Sequence, residues 1–166
     1  MKFIIIGNGN AVTYKEIFPL IKNNQLWLGH KSFSGMDMYA GPNYEAEKCK
    51  HPKYDENGRV IIQAMMCVWW TNVEYTKRNI PLGLHKRYYS EDYPKYDNYD
   101  AIEVSKVSDI PMDYYGIMGV PITFLGKYCP EQFEIVGNEY SENIERGRVY
   151  INGKRMYSRI FIRKHI

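Results

Sequence analysis

No two prolines are adjacent anywhere in this 166-residue chain, none of its three cysteines stands in a Cys-x-x-Cys spacing, and no apolar run approaches the length of a membrane span. Each absence excludes something. A helix needs about 20 consecutive apolar residues to cross a bilayer, and the run at residues 3–6 is too short even for the core of a secretion signal. The chain therefore reads as cytoplasmic, with no membrane partner, and Cys49, Cys67 and Cys129 read as reduced thiols. Cys49 and His51 are close in sequence but lack two further ligands, so a structural zinc site is not expected. His30, His51, His85 and His165 show no ligand spacing. Neither a serine or cysteine nucleophile motif nor a distinctive carboxylate pair argues for hydrolysis.

Aromatic residues, by contrast, are plentiful: 16 Tyr, 6 Phe and 3 Trp, in a chain that is 45% hydrophobic. That suffices for a real core, and the length is that of a single domain over residues 1–166. Tyrosine joins a flat apolar ring to a polar tip, so it suits base stacking and wet interfaces as well as cores; an AT-rich coding sequence would produce the same excess. The net charge of +3 is unevenly spread. Between residues 144 and 166 seven basic residues (Arg146, Arg148, Lys154, Arg155, Arg159, Arg163 and Lys164) face only Glu145, while the rest of the chain is net acidic. A basic patch of this kind attracts polyanions, nucleic acid first among them; a solubilising tail is the alternative.

Along the chain, the apolar run at residues 2–6 ends at Gly7 and fits a strand buried on both faces. Thr13 with Glu16 three residues on has the spacing of a capping box, predicting a helix whose buried stripe is Ile17, Leu20 and Ile21 and which ends at Asn23 and Asn24. Residues 26–29 read as another short strand, giving the strand–helix–strand unit of a mostly parallel α/β sheet. Residues 33–57 have weak periodicity and read as a long loop or insertion. Residues 59–70 read as one long strand and residues 82–88 as its returning partner, with polar loop over 89–98. Ile102, Val104 and Val107 form a short apolar patch, residues 130–133 a turn of helix and residues 133–136 a strand. Asn152-Gly153 between two alternating segments predicts a two-residue type I′ turn, so residues 144–166 read as a basic hairpin.

Three stretches carry a family resemblance: residues 3–21 (FIIIGNGNAVTYKEIFPLI), 93–114 (YPKYDNYDAIEVSKVSDIPMDY) and 117–137 (IMGVPITFLGKYCPEQFEIVG). In that order they resemble the closing region of the EcoRI-like adenine-specific DNA methyltransferases. Val68-Trp69-Trp70-Thr71-Asn72 is similar to the family's Trp-Phe-Thr-Asn segment, with Trp70 in the phenylalanine position. The resemblance implies the C-terminal portion of an enzyme that moves a methyl group from S-adenosylmethionine to a flipped adenine in double-stranded DNA, within a restriction–modification pair. Adenine amino methyltransferases use Asp or Asn followed by Pro-Pro and an aromatic, the polar groups accepting from the exocyclic amine and the ring stacking on the base. With no Pro-Pro here, that motif and the cofactor loop are placed upstream of Met1, and this chain alone is expected to be inactive.

The implied fold is α/β: an incomplete Rossmann-like methyltransferase sheet holding the later strands, mixed parallel and antiparallel, with a C-terminal β-hairpin. The implied substrate-contacting residues are Asn8, Trp70, Thr71 and Asn72, although Trp69 and Trp70 could simply pack on alternate faces of a sheet. The expected DNA-contacting residues are Lys77, Arg78, Arg155, Arg159, Arg163 and Lys164; Lys86-Arg87-Tyr88-Tyr89 is a further basic and aromatic run, of the kind that sits on phosphates and bases. In the family's sheet the strand at residues 2–6 has a neighbour on each side, one of them bearing the catalytic motif. Losing that neighbour leaves an open edge, which predicts a homodimer, pairing with a separately encoded N-terminal half, or poor solubility. The alternatives are a non-catalytic DNA-binding module derived from such an enzyme, and a small nucleotide-binding protein using Gly7-Asn8-Gly9.

Overall fold

The structure is a computed structural model that describes residues 1–29, 33, 35–41, 44 and 52–166. It is α/β, with few helices and, among the described residues, three sheets of three or four strands and a two-stranded hairpin. The first sheet has the order β1-β6-β2, where β1 is Ile4–Asn8, β2 is Trp27–Leu28 and β6 is Cys67–Thr71. Both β1 and β2 run antiparallel to β6. The expected parallel pairing of β1 with β2 is therefore absent: the two point the same way, but β6 lies between them.

The helix between these strands also differs from expectation. Thr13 closes a 3-10 helix, Gly9–Thr13, and donates through Oγ1 to the Asn10 carbonyl at 2.9 Å instead of capping a new helix. The α-helix α1, Phe18–Lys22, starts later, with Pro19 in its first turn. Proline is favoured there because its fixed φ is already helical and its missing N–H would have had no partner. Asn24 at φ 57° takes the left-handed conformation that stops the helix.

The stretch at 33–57 is more than loop: it supplies β3 (Met36–Tyr39) and β4 (Lys53–Tyr54), which flank β5 (Val60–Ala64) in an antiparallel sheet of order β3-β5-β4. The apolar run at 59–70 is two strands, because a turn at Met65-Met66 sends β5 and β6 into different sheets. Apolar side chains fill that turn, so the pattern alone does not show the break. Residues 82–88 form no strand; Leu82 is instead held through its backbone N–H and carbonyl by the Gln132 side-chain amide, at 2.7 and 2.8 Å. Cys49, His51 and His30 lie outside the described residues.

The third sheet has the order β7-β8-β12-β9, from Ile102–Glu103, Met118–Pro121, Arg159–Lys164 and Phe133–Asn138. β7 pairs with β8 in parallel and the rest are antiparallel, so the sheet is mixed. Both faces are covered. Ile160 and Ile162 enter a core with Phe18, Trp70, Phe124 and Phe133, whereas Phe161 points the other way onto Tyr96, Ala101 and Val149. The first core also takes Val68 and Leu28 from the first sheet, so one core joins the two. The segment expected as a basic hairpin thus divides. Tyr150–Ile151 (β10) and Lys154–Arg155 (β11) form the hairpin, with Asn152 and Gly153 both at positive φ as a type I′ turn requires. β12 is instead the middle of a sheet. Among the described residues no helix is long and apolar enough to cross a membrane.

Candidate functional site

The four expected substrate-contacting residues do not converge. Asn8 lies opposite Cys67 and Ile4 opposite Thr71, so Asn8 and Thr71 sit at opposite ends of the β1–β6 pair, roughly 13 Å apart at the usual rise per residue. Asn8 accepts from the Asn10 N–H at 2.8 Å and caps the 3-10 helix. Trp70 faces the core and is buried, and Trp69 faces away from it. Thr71 and Asn72 act as a clamp on the start of the chain. Thr71 Oγ1 donates to the Phe3 carbonyl at 2.7 Å and accepts from the Val73 N–H, while Asn72 accepts from the Phe3 N–H and donates to the Met1 carbonyl, each at 2.9 Å.

The glycines of Gly7-Asn8-Gly9 are used for packing. A β-carbon on Gly7 would meet the Trp70 ring at 2.9 Å, and one on Gly9 would lie 3.2 to 3.3 Å from Phe33, Met66 and Val68. The space a nucleotide would need against this turn is filled by the protein's own side chains.

The first sheet is open in two directions. β1 pairs only with β6, and its other edge carries no strand among the described residues. Ile4, Ile5 and Ile6 are 63%, 54% and 45% exposed, an unusual display for consecutive β-branched residues in a strand. On the face away from the core, Ile4, Gly29, Trp69, Thr71, Val73 and Tyr75 line a depression of about 580 Å³, with Glu74 as its one charged member.

The expected DNA-contacting residues also separate. Arg159 is 7% exposed, and its guanidinium donates to the Glu103 carboxylate from Nη2 at 2.6 Å and from Nε at 3.0 and 3.1 Å. Glu103 further accepts from the Tyr96 and Ser105 hydroxyls. Arg159 is thereby a core residue, not a phosphate contact. Arg78 is similarly removed from the surface: it lies over the Trp27 ring at 3.7 Å and donates to Glu74 at 2.7 Å and to Asn24. Arg163 is half-exposed, 3.5 Å from Glu134, and Lys164 donates to the Met112 carbonyl. Lys77 and Arg155 are exposed, and neither makes a side-chain hydrogen bond or ion pair among the described residues. The turn of the hairpin bearing Arg155 is held by Asp97, whose carboxylate accepts from the Asn152 and Gly153 N–H groups at 3.0 and 2.8 Å.

A second cavity, of about 640 Å³, was not foreseen as a unit. Its lining includes the exposed His85, Lys86, Arg87, Tyr89 and Asp92, together with Asp109, Ser105 and the buried Tyr93 and Glu103. Two of its lining side chains are held in place: Glu103 by Arg159, and Tyr93, whose hydroxyl donates to the Asp109 carbonyl at 2.7 Å. Tyr88 packs between Tyr93 and Tyr114, with ring centres 5.6 and 4.6 Å away. The sequence held one signal for this arrangement: a lone carboxylate, Glu103, within an otherwise apolar stretch, which demands a buried cation from elsewhere.

Comparison with known proteins follows the same outline. The family model described as adenine-specific methyltransferase EcoRI matches residues 1–165. The Type II methyltransferase M.EcoRI of Escherichia coli is 44% identical over 164 residues, which cover 98% of this chain and 50% of that protein. The Type II methyltransferases M.MpnI of Mycoplasma pneumoniae and M.MgeORF184P of Mycoplasma genitalium are 33% and 35% identical over 180 residues, covering 98% of this chain and 56% and 57% of those proteins. The chain thus spans about half the length of the curated relatives it matches. No solved structure matches it.

Proposed function

The chain belongs to the EcoRI family of adenine-specific methyltransferases, and from that premise we propose that it forms the later portion of a restriction–modification enzyme that methylates adenine N6 in double-stranded DNA. The observation that carries this reading is the open sheet. β1 has one partner strand and three exposed isoleucines, beside an apolar depression at Trp69. Strands of an earlier segment added at that edge would extend the sheet toward a Rossmann-like one and pair the free backbone groups of β1. Covering the isoleucines would contribute on the order of 1–2 kcal/mol each.

S-adenosylmethionine supplies the methyl group in this chemistry. The residues at the glycine turn do not fit it, since Trp70, Phe33 and Met66 occupy the space, so we assign its binding to the segment that the relatives have beyond the match. For this chain we assign DNA phosphate contacts to Lys77 and Arg155, which are exposed and make no side-chain hydrogen bond or ion pair among the described residues.

The test is transfer of labelled methyl groups from S-adenosylmethionine to DNA. We expect no transfer by the 166-residue chain alone, and transfer once the part of the E. coli relative that this chain does not match is added as a separate polypeptide. Transfer by the chain alone, at a rate proportional to its concentration, overturns the reading.

A further inference from the structure

The cavity over Glu103 is lined by several polar side chains that have no partner among the described residues. Four of the chain's eight arginines are already engaged with carboxylates: Arg59 with Asp55, Arg78 with Glu74, Arg159 with Glu103 and Arg163 with Glu134. His85, Lys86, Arg87, Tyr89 and Asp92, by contrast, make no side-chain hydrogen bond or ion pair among the described residues, and all five are exposed. They share the cavity with lining side chains that are held in place, Glu103 by Arg159 and Tyr93 by the Asp109 carbonyl. The lining offers two chemistries. Lys86 and Arg87 are donors carrying positive charge, whereas Asp92 and Asp109 are acceptors only when ionised. Tyr89, 54% exposed, lines the same cavity.

We infer that this cavity receives one strand of DNA, with a phosphate on Lys86 and Arg87, a base against the Tyr89 ring, and the exocyclic amine of that base directed to Asp92 or Asp109. The inference rests on the DNA-methyltransferase reading above and gives it a contact site. Each pairing follows from the groups. Phosphate oxygens only accept, so they take the two basic side chains. Carboxylates only accept, so they select an adenine N6 or cytosine N4 amine over thymine, which has no exocyclic amine. An exposed tyrosine ring offers stacking to either base.

The experiment is an anisotropy titration of the 166-residue chain against a labelled 30-base-pair duplex over a range of KCl concentrations, and against hexanucleotides of dA, dC and dT. Lys86→Ala/Arg87→Ala should weaken duplex binding at least tenfold and lower the log–log salt slope by about 1.8, at about 0.9 per phosphate contact. Tyr89→Ala should weaken hexanucleotide binding several-fold, and Tyr89→Phe should restore it. The wild-type chain should bind the dA and dC oligomers in preference to dT, and Asp92→Asn/Asp109→Asn should bring that ratio toward one. If the chain binds duplex but the Lys86/Arg87 variant matches it in affinity and slope, the cavity assignment is wrong while the DNA reading stands. An Asp92/Asp109 variant with an unchanged base preference removes the assigned orientation of the base. Absence of any duplex binding at low salt overturns the DNA reading and the cavity assignment together. All five substituted side chains line the cavity, and unchanged melting temperatures keep a loss of binding separate from a loss of fold.

Discussion

Two strands of this chain are nearly alike in sequence and opposite in fate. β1 reads Ile-Ile-Ile-Gly-Asn and the middle of β12 reads Ile-Phe-Ile; Ile4, Ile5 and Ile6 stand in solvent, whereas Ile160, Phe161 and Ile162 are 0% exposed. An apolar run states that a strand wants covering, but it does not say who covers it. β12 finds β8 and β9 on its two edges and a core on each face. β1 finds β6 on one edge and, among the described residues, no strand on the other, so its isoleucines stay in solvent.

That contrast can be broken from either side. The largest effect should come from β12. Phe161→Ala leaves a cavity in a packed interior and should cost about 3–5 kcal/mol in urea denaturation. Arg159→Ala strands a buried carboxylate and should cost a similar amount, about 3–5 kcal/mol, whereas breaking a surface charge pair would cost well under one. A wild-type-like denaturation midpoint for Arg159→Ala would return this residue to the surface, against the geometry at Glu103.

A pH effect of intermediate size is expected next door. Glu139, 1% exposed, has its carboxyl pushed above the usual 4.5 by burial, offset in part by the Arg159 N–H that it accepts. A carboxyl whose folded pKa is raised favours folding most fully below its unfolded pKa and loses that contribution as pH rises through the folded value. Glu139→Gln should therefore gain stability over wild type at neutral pH, with the difference closing as pH falls below 4.5. Equal stability of the two chains across the whole range would show that the carboxyl keeps its ordinary ionisation.

The smallest stability effects belong to the exposed parts. Ile4→Thr/Ile6→Thr should shift the isolated chain by less than about 1 kcal/mol, yet abolish association with the added relative's segment in a pull-down. Light scattering of the wild-type chain sharpens the same point, since a stable dimer lost in this variant would assign the edge to a second copy. Arg155→Ala should leave the melting curve unchanged and reduce the salt slope of DNA binding by about 0.9.

The sequence was most legible where the signal is local. The Asn152-Gly153 turn, the presence of a strand at β1 and the strand beginning at Phe133 follow from turn chemistry and short apolar runs, although the burial expected for β1 on both faces is not found. Reading failed where partners are distant. Arg159 and Glu103 are 56 residues apart, and a basic residue in a basic segment gives no hint that it is buried. The same segment hid β12. Residues 59–70 hid a change of sheet, because Met65-Met66 turns the chain without glycine, proline or any polar break. At the site, similarity to Trp-Phe-Thr-Asn suggested a pocket around Trp70, Thr71 and Asn72, and the structure instead uses Trp70 as core and the other two as a clamp. The cavity over Glu103 draws on residues 85 to 109, whose convergence no short motif announces.

The position of β12 also dictates the order of assembly during synthesis. β8 and β9 leave the ribosome well before the strand that must lie between them, and neither can pair with the other in its place without losing the register both make with β12. Until Arg159–Lys164 emerges, Glu103 has no cation and two apolar strand edges stand unpaired. This sheet therefore closes late and all at once, by contacts remote in sequence, which is the slow route to a fold. A nascent chain stalled short of Arg159 would expose those edges to its neighbours, and a chaperone-poor translation system should aggregate it where the full chain stays in solution.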